Sequence, residues 1–224
     1  MAILKGWIGE KKTALKLWLF LNKKNYTVYN NLIIPSHNGT TQIDHLVVSV
    51  NGLFIIETKN KDGWIFGSEN QKQWTQTFYN KKFRFQNPLH QTYRQKKVLS
   101  SFLGLEESKI HTVVYFVGDA KFKSKLPKNV LRRRLIRYIK RKKEALFLAQ
   151  EIDEINVQLI EFKSNSKLRR KDHIRSLKKR HTSKTTCPRC GSDLIERIAR
   201  RGANKGQSFL GCSNYPRCKY SSRY

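Results

Sequence analysis

The stretch from Gln42 to Lys61 constrains this chain more than any other. It consists of two β-branched runs, Ile43–Val50 and Leu53–Thr58, meeting at Asn51-Gly52. Asn-Gly is the strongest local signal for a two-residue hairpin, because both turn residues tolerate positive φ. Counted from that turn, Val50 faces Leu53, Val48 faces Ile55, Leu46 faces Glu57, Asp44 faces Lys59 and Gln42 faces Lys61. One face of the hairpin is therefore aliphatic near the turn. Toward the open end it changes into Asp44, Glu57 and Lys59, roughly 5 to 8 Å apart at Cβ. Two carboxylates so placed suit a hard divalent cation, and a neighbouring lysine can orient or deprotonate water. A solvated strand end with a surface ion pair is the competing reading, and spacing alone does not separate the two.

The flanking chain supplies the elements this hairpin needs. Lys11–Leu21 forms an apolar helix with Glu10 in its first turn, where a carboxylate suits the helix dipole. Tyr26–Pro35 reads as a strand, and Trp64–Phe66 and Gln73–Phe78 as short ones. Trp64, Trp74, Phe83 and Phe85 are assigned to core and sheet faces rather than to base stacking. Asn87-Pro88 starts a helix that Gly104 ends. Leu89, Tyr93, Leu99, Phe102 and Leu103 line its buried side, and Gln91 and Arg94 fall elsewhere. Ile110–Val117 has the continuous apolar character of a strand buried on both faces. The fold class is α/β, a mixed central sheet flanked by helices.

The 46 Lys and Arg residues stand against 16 Asp and Glu, a formal charge of +30, so the chain must seek polyanions. DNA or RNA is the leading partner, and charge does not distinguish them. No apolar run is long enough to span a bilayer, and a membrane partner is not expected. The opening residues lack the order of a signal peptide, so a cytoplasmic protein is expected. From Leu126 the pattern becomes helical and basic. Leu131, Leu135, Ile139 and Leu146 line one side, with Arg132, Arg133, Arg134, Arg137, Lys140, Arg141, Lys142 and Lys143 around the rest. Without interleaved acids, such a run favours phosphate contacts over a merely solvated face. Glu151–Phe162 reads as a further helix, and Lys163–Thr186 as a helical extension or linker with a weak stripe of Leu168, Ile174 and Leu177.

All four cysteines lie near the C-terminal end: Cys187-Pro-Arg-Cys190 and Cys212-Ser-Asn-Tyr-Pro-Arg-Cys218. Two cysteine pairs in a short basic module suit a structural, four-thiolate Zn2+ site, in which the metal replaces a core so small a segment cannot build.

Two family resemblances rest on these residues. The first half resembles the nuclease-related domain family of the restriction-endonuclease-like superfamily. It does so through Gly9-Glu10, Gln42-Ile43-Asp44-His45, Gly52 to Lys59, Gly63 with Ile65 and Gly67, Trp74, and Asn87-Pro88-Leu89 with Gln91. That resemblance implies a restriction-endonuclease-like mixed sheet in which Asp44, Glu57 and the Thr58 carbonyl bind Mg2+ or Mn2+ and Lys59 positions the attacking water. It also implies that Glu10, Gln42 and Gln91 complete the site. The superfamily's Pro-Asp pair is replaced by Ile43-Asp44. The tail is similar to the C4 zinc finger of type IA topoisomerases, which binds single-stranded DNA. Arg197, Arg201, Lys205, Arg217 and Lys219 would then contact phosphates, and Phe209, Tyr215 and Tyr220 would offer stacking faces. No remaining stretch supplies a topoisomerase's nucleophile and toroidal body, so that reaction is not expected.

The expected organisation is a nuclease-like domain over 1–125, a basic helical extension over 126–184 and the zinc ribbon over 185–224. The expected function is Mg2+-dependent hydrolysis of DNA, single-stranded or branched, with Zn2+ structural. A non-catalytic DNA-binding protein using the same domain as a scaffold is the alternative.

Overall fold

The computed structural model describes residues 2–37 and 39–222 and divides into two compact units, Met1–Leu32 with Gln42–Lys167, and Ile33–Thr41 with Leu168–Tyr224. The first is built on a mixed sheet of β1 (Thr27–Ser36), β2 (Gly39–Ser49), β3 (Gly52–Asn60), β7 (Ile110–Val117) and β9 (Val130–Leu131), in that spatial order. β3 is central, antiparallel to β2 and parallel to β7. A smaller sheet has the order β6-β5-β4-β8, formed by β4 (Gly63–Phe66), β5 (Gln73–Phe78), β6 (Lys81–Gln86) and β8 (Ala120–Phe122). Strands β6, β8 and β9 have no counterpart among the elements expected from the sequence.

The β2–β3 hairpin differs from the expected one in its turn. Ser49 pairs with Gly52, Val48 with Leu53 and Leu46 with Ile55, so Val50-Asn51 is the loop and the register moves by two residues. Neither Val50 nor Asn51 takes positive φ. That conformation falls on Gly52, at φ 119°, where a Cβ would also press on the His111 ring at 3.0 Å. Tertiary bonds choose this turn: the Leu146 and Phe147 amides both donate to the Val50 carbonyl, at 2.8 and 3.1 Å, and Asn51 Nδ2 donates to the Glu144 carbonyl. A two-residue shift preserves which side chains share a face. Asp44 thus lies one residue beyond the His45–Ile56 pair, beside Glu57, and Leu46 does not face Glu57.

Apolar clusters cover both faces of the main sheet. On one, Val47, Phe54, Ile56, Val113 and Tyr115 pack with Leu17 and Leu21 from the α1 region and with Leu135 and Ile139. On the other, Val114 and Phe116 pack with Ile65 and Trp74 of the smaller sheet. Helix α1 (Ala2–Phe20) begins well before the expected start, so Glu10 is a mid-helix residue and not a first-turn one. Leu15, Trp18 and Leu19 are exposed, because burial selects Thr13, Leu17 and Leu21 instead. Helix α2 (Pro88–Leu103) has the expected limits. Asn87 caps it by accepting from the Leu89 amide at 2.9 Å, and Gly104 closes it at φ 67°. Its buried side is more polar than expected: Thr92, Arg94 and Gln95 join Val98 and Leu99.

The basic segment departs furthest from expectation. Helix α3 covers only Leu135–Lys140, after Arg134 at φ 61°. The residues before it pair as β9, and those after it run irregularly to bond the hairpin turn. Helix α4 (Ala149–Asn165) is longer than expected at both ends.

In the second unit, α5 (Arg170–Thr182) makes the expected extension helical. Its buried contacts are polar and not the apolar stripe, since Ile174 is exposed. His173 Nδ1 lies 3.0 Å from Thr40 Oγ1, the Thr40 amide donates to Ser176 Oγ at 2.8 Å, and Arg180 donates to the Thr40 carbonyl. A three-stranded sheet of β10 (Leu194–Ile198), β11 (Ser208–Cys212) and β12 (Ser221–Ser222) carries the cysteines.

Candidate active site and zinc ribbon

Glu57 and Lys59 share one face of β3 because their positions differ by two. Lys59 Nζ donates to Glu57 Oε1 at 2.6 Å and to Gln91 Oε1 at 3.0 Å. The other Glu57 oxygen accepts from Gln95 Nε2 at 2.7 Å, and the same amide donates to the Gln42 carbonyl at 2.9 Å. Asp44 Oδ2 accepts from the Thr58 amide at 2.9 Å. Glu57 is 2 % exposed and Asp44 8 %, so this is a buried charge cluster and not a solvated strand end.

Burial above all, then the neighbouring Glu57 carboxylate and more weakly Glu10, push the Asp44 carboxyl well above the usual range. Lys59 and the Thr58 amide pull it down without prevailing. For Lys59, burial favours the neutral amine, but Glu57, Asp44 and Glu10 outweigh burial and hold the ammonium above its usual pKa. Lys59 is therefore charged at neutral pH. It can orient water or donate to a phosphate, but it is poorly suited to removing a proton.

The other expected site residues enter unevenly. Gln91 reaches the cluster through Lys59. Gln42 contributes its carbonyl, while its side chain turns to Asn31 Oδ1 at 3.4 Å. Thr58 enters through its amide, and its hydroxyl reaches Thr13 of α1 at 3.3 Å. Glu10 acts on Asp44 and Lys59 through its charge. Its neighbour Gly9 lets α1 approach β3, since a Cβ there would lie 2.7 Å from Asn60 Cβ. Gln95 was missed. The available signal was the four-residue step from Gln91, which puts both amides on one helical face.

The donor set fits a hard divalent cation, because the Asp44 and Glu57 carboxylates stand on neighbouring strands within electrostatic reach of each other. Lys59 supplies a positive charge to Glu57 here. Among the described residues, the Cys, His, Asp and Glu side chains that come together in threes or more at metal-binding distance are Cys187, Cys190, Cys212 and Cys218. Their sulfurs all lie within 4.8 Å of one another. Tetrahedral Zn–S bonds of about 2.3 Å require sulfurs about 3.8 Å apart, and Cys187 Sγ and Cys218 Sγ are 3.9 Å apart. Shared hydrogen bonds with the other thiols hold the Cys187 thiol up and Cys190 down, and burial pushes Cys212 up to about 12. Four thiols packed this closely compete for their protons, a conflict that Zn2+ would resolve by ligating all four as thiolates.

Of the predicted nucleic-acid contacts, Arg132 is occupied internally, donating to the Ala120 carbonyl at 2.6 Å. Arg133, Arg134, Arg137, Lys140 and Arg141 are exposed. In the ribbon Arg201, Lys205, Tyr215, Arg217 and Lys219 are exposed, whereas Phe209 and Tyr220 are half-buried. The Arg197 guanidinium stands 5.8 Å from the Tyr215 ring centroid.

A mixed sheet presenting an Asp-Glu-Lys cluster, joined in one chain to a four-cysteine ribbon, defines a nuclease-like class of protein. Residues 5–117 match the nuclease-related domain model and residues 184–224 the topoisomerase DNA-binding C4 zinc finger. The chain belongs to the nuclease-related domain family. It is 43% identical over 95 residues to an uncharacterized protein of Bacillus anthracis, covering 42% of this chain and 45% of that one. It is also 38% identical over 60 residues to DNA topoisomerase 1 of Mycoplasma genitalium, covering 27% of this chain and 8% of the enzyme. A similar stretch, 38% identical over 50 residues, occurs in DNA topoisomerase 1 of Helicobacter pylori, covering 22% of this chain and 6% of the enzyme. The matches span less than half the length of these relatives.

Proposed function

We propose that the protein is a divalent-metal-dependent deoxyribonuclease that hydrolyses phosphodiester bonds. The observation that carries this reading is the trio of Asp44, Glu57 and Lys59, its two carboxylates buried, with Gln91 and Gln95 bonded to it. Asp44, Glu57 and the Thr58 carbonyl would hold Mg2+ or Mn2+, which supplies Lewis-acid polarisation of the phosphate and acidifies bound water. Gln95 fixes the Glu57 carboxylate by occupying one oxygen. Gln91 fixes the Lys59 ammonium, which then directs an N–H toward the attacking water or a phosphate oxygen. Glu10 adds negative charge that favours cation entry. The zinc ribbon holds DNA, with single-stranded regions preferred, through Arg and Lys contacts and the exposed Tyr215 ring. The exposed cations of 133–141 add phosphate contacts.

A non-catalytic DNA-binding scaffold is the second reading, supported by the ion pair in which Lys59 balances the Glu57 carboxylate. Incubating the purified protein with linear, circular, nicked and single-stranded DNA in Mg2+, Mn2+ or EDTA separates the two. Metal-dependent cleavage lost in Asp44→Ala and Lys59→Ala supports the nuclease. DNA binding without cleavage under every condition supports the scaffold.

A further inference from the structure

The smaller sheet turns one face to the main core and leaves the other unpartnered. Ile65, Trp74 and Gln76 point inward and are buried, whereas Trp64 and Phe66 point outward and are 48 % and 38 % exposed. Of the four aromatics assigned to core and sheet faces, Trp74 is the fully buried one, whereas Trp64 and Phe83 are exposed. Strand pairing sets the outward face in two rows. Lys121, Trp64, Thr77 and Lys82 lie side by side across β8, β4, β5 and β6. Phe66, Thr75 and Arg84 form the next row, and Lys123 reaches its edge, with Nζ 4.6 Å from the Trp64 ring centroid. The Trp64 row thus has a ring with cations at both ends, the Phe66 row has a ring at one end and Arg84 at the other, and neither row contains a carboxylate.

We infer that this face is a stacking platform for a single-stranded segment of DNA, with Trp64 and Phe66 each taking a base and Lys82, Arg84, Lys121 and Lys123 holding the phosphates on either side. The rings are two residues apart on one strand, about 7 Å. That is twice the 3.4 Å step of stacked DNA, so they suit an opened strand whose bases are separated. A duplex presents only phosphates to such a surface. A flat sheet with exposed rings and flanking cations recognises single strands elsewhere by the same physics. A protein partner would need acidic complementarity to all four cations and would leave the paired rings unexplained. The inference rests on the nuclease reading in one respect, since β4 begins four residues after Lys59 and the platform would feed strand toward that site.

The test uses the full chain carrying Asp44→Asn, loaded with Zn2+ and held free of divalent metal other than zinc, so that binding is read without cleavage. Fluorescence anisotropy with oligothymidylate should show about tenfold weaker binding when Trp64→Ala and Phe66→Ala are added, with less than twofold change for duplex of equal length. Bromouracil-substituted oligothymidylate should crosslink to Trp64 or Phe66 by peptide mapping. Equal losses for duplex and single strand, preference for oligouridylate, a change in sedimentation with DNA binding unaltered, or crosslinks confined to the ribbon would each overturn the platform. Because no step depends on turnover, a platform that binds in a protein that never cleaves DNA would defeat the nuclease reading alone.

Discussion

At the scale of single residues, Asp44 is held in tension by its surroundings. Its folded-state pKa is raised, so above the ordinary carboxylate range the folded state binds more protons than the unfolded chain. Stability then falls as pH rises from that range through the raised value. In EDTA at neutral pH, Asp44→Asn is therefore expected to raise the melting temperature, because an amide keeps the bond from the Thr58 amide without the buried charge. Mn2+ or Mg2+ should stabilise the wild type and leave that variant unmoved; calorimetric melts with and without metal check both. His45, on the opposite face, titrates in the other sense. Burial lowers it from 6.5 to about 4, and its Nε2 has no partner. The unfolded state takes up the proton first, so stability is lost as pH falls from about 6.5 toward 4, by up to about 3 kcal/mol. Chemical denaturation across that window should show the loss, reduced in His45→Gln.

At the scale of elements, the site depends on how α2 is anchored against β3. Asn87 is fully buried. Besides capping α2, its Nδ2 donates to the Ser68, Glu69 and Gln71 carbonyls at 3.0, 3.1 and 2.7 Å. Asn87→Ala should cost about 2 to 4 kcal/mol, from the lost cap and the carbonyls left without a donor, as read from urea midpoints. Gln95→Leu keeps the helix but frees Glu57 Oε2. It should cost about 1 to 3 kcal/mol of stability, because the Glu57 oxygen and the Gln42 carbonyl lose a buried donor, and slow cleavage by roughly tenfold, the scale of one lost charge-assisted hydrogen bond, with the defect in the maximal rate rather than in DNA affinity.

These elements also show what the sequence made legible. Alternation assigned Asp44, Glu57 and Lys59 to one face correctly even though the turn was misplaced, because a shift of two residues conserves parity. The turn itself depended on Leu146 and Phe147, about ninety-five residues away, which no local pattern reveals. Gln95 stayed hidden because its helix was read for an apolar face, and the face meeting β3 is amide-bearing. The basic run read as one helix because its leucines keep helical spacing. In the structure pairing with β7 and bonds to Val50 take both ends, and only six residues remain helical. Trp64 and Trp74 are indistinguishable by residue type; strand parity separates them.

At the scale of the whole molecule, +30 charges make polyanion binding steeply salt-dependent. The logarithm of DNA affinity should fall linearly with that of salt concentration. Replacing Arg137 and Lys140 by Ala should reduce the slope by roughly two, whereas Arg132→Ala should instead lower stability. Removing Zn2+ should unfold the ribbon and weaken single-strand binding. Cys187→Ser should lose the stoichiometric zinc signal, and retained zinc in that variant would contradict the four-thiolate assignment. Among the described residues no helix is long and apolar enough to cross a membrane.

The central claim is that Asp44 and Glu57 form a divalent-metal site that cleaves DNA with the help of Lys59. The most direct measurement is single-turnover cleavage of an end-labelled DNA under Mg2+ titration, wild type beside Asp44→Asn purified identically. The account predicts a rate that rises with Mg2+, vanishes in EDTA and falls at least a hundredfold in the variant. A rate indifferent to the metal, or equal in the two proteins, would contradict it.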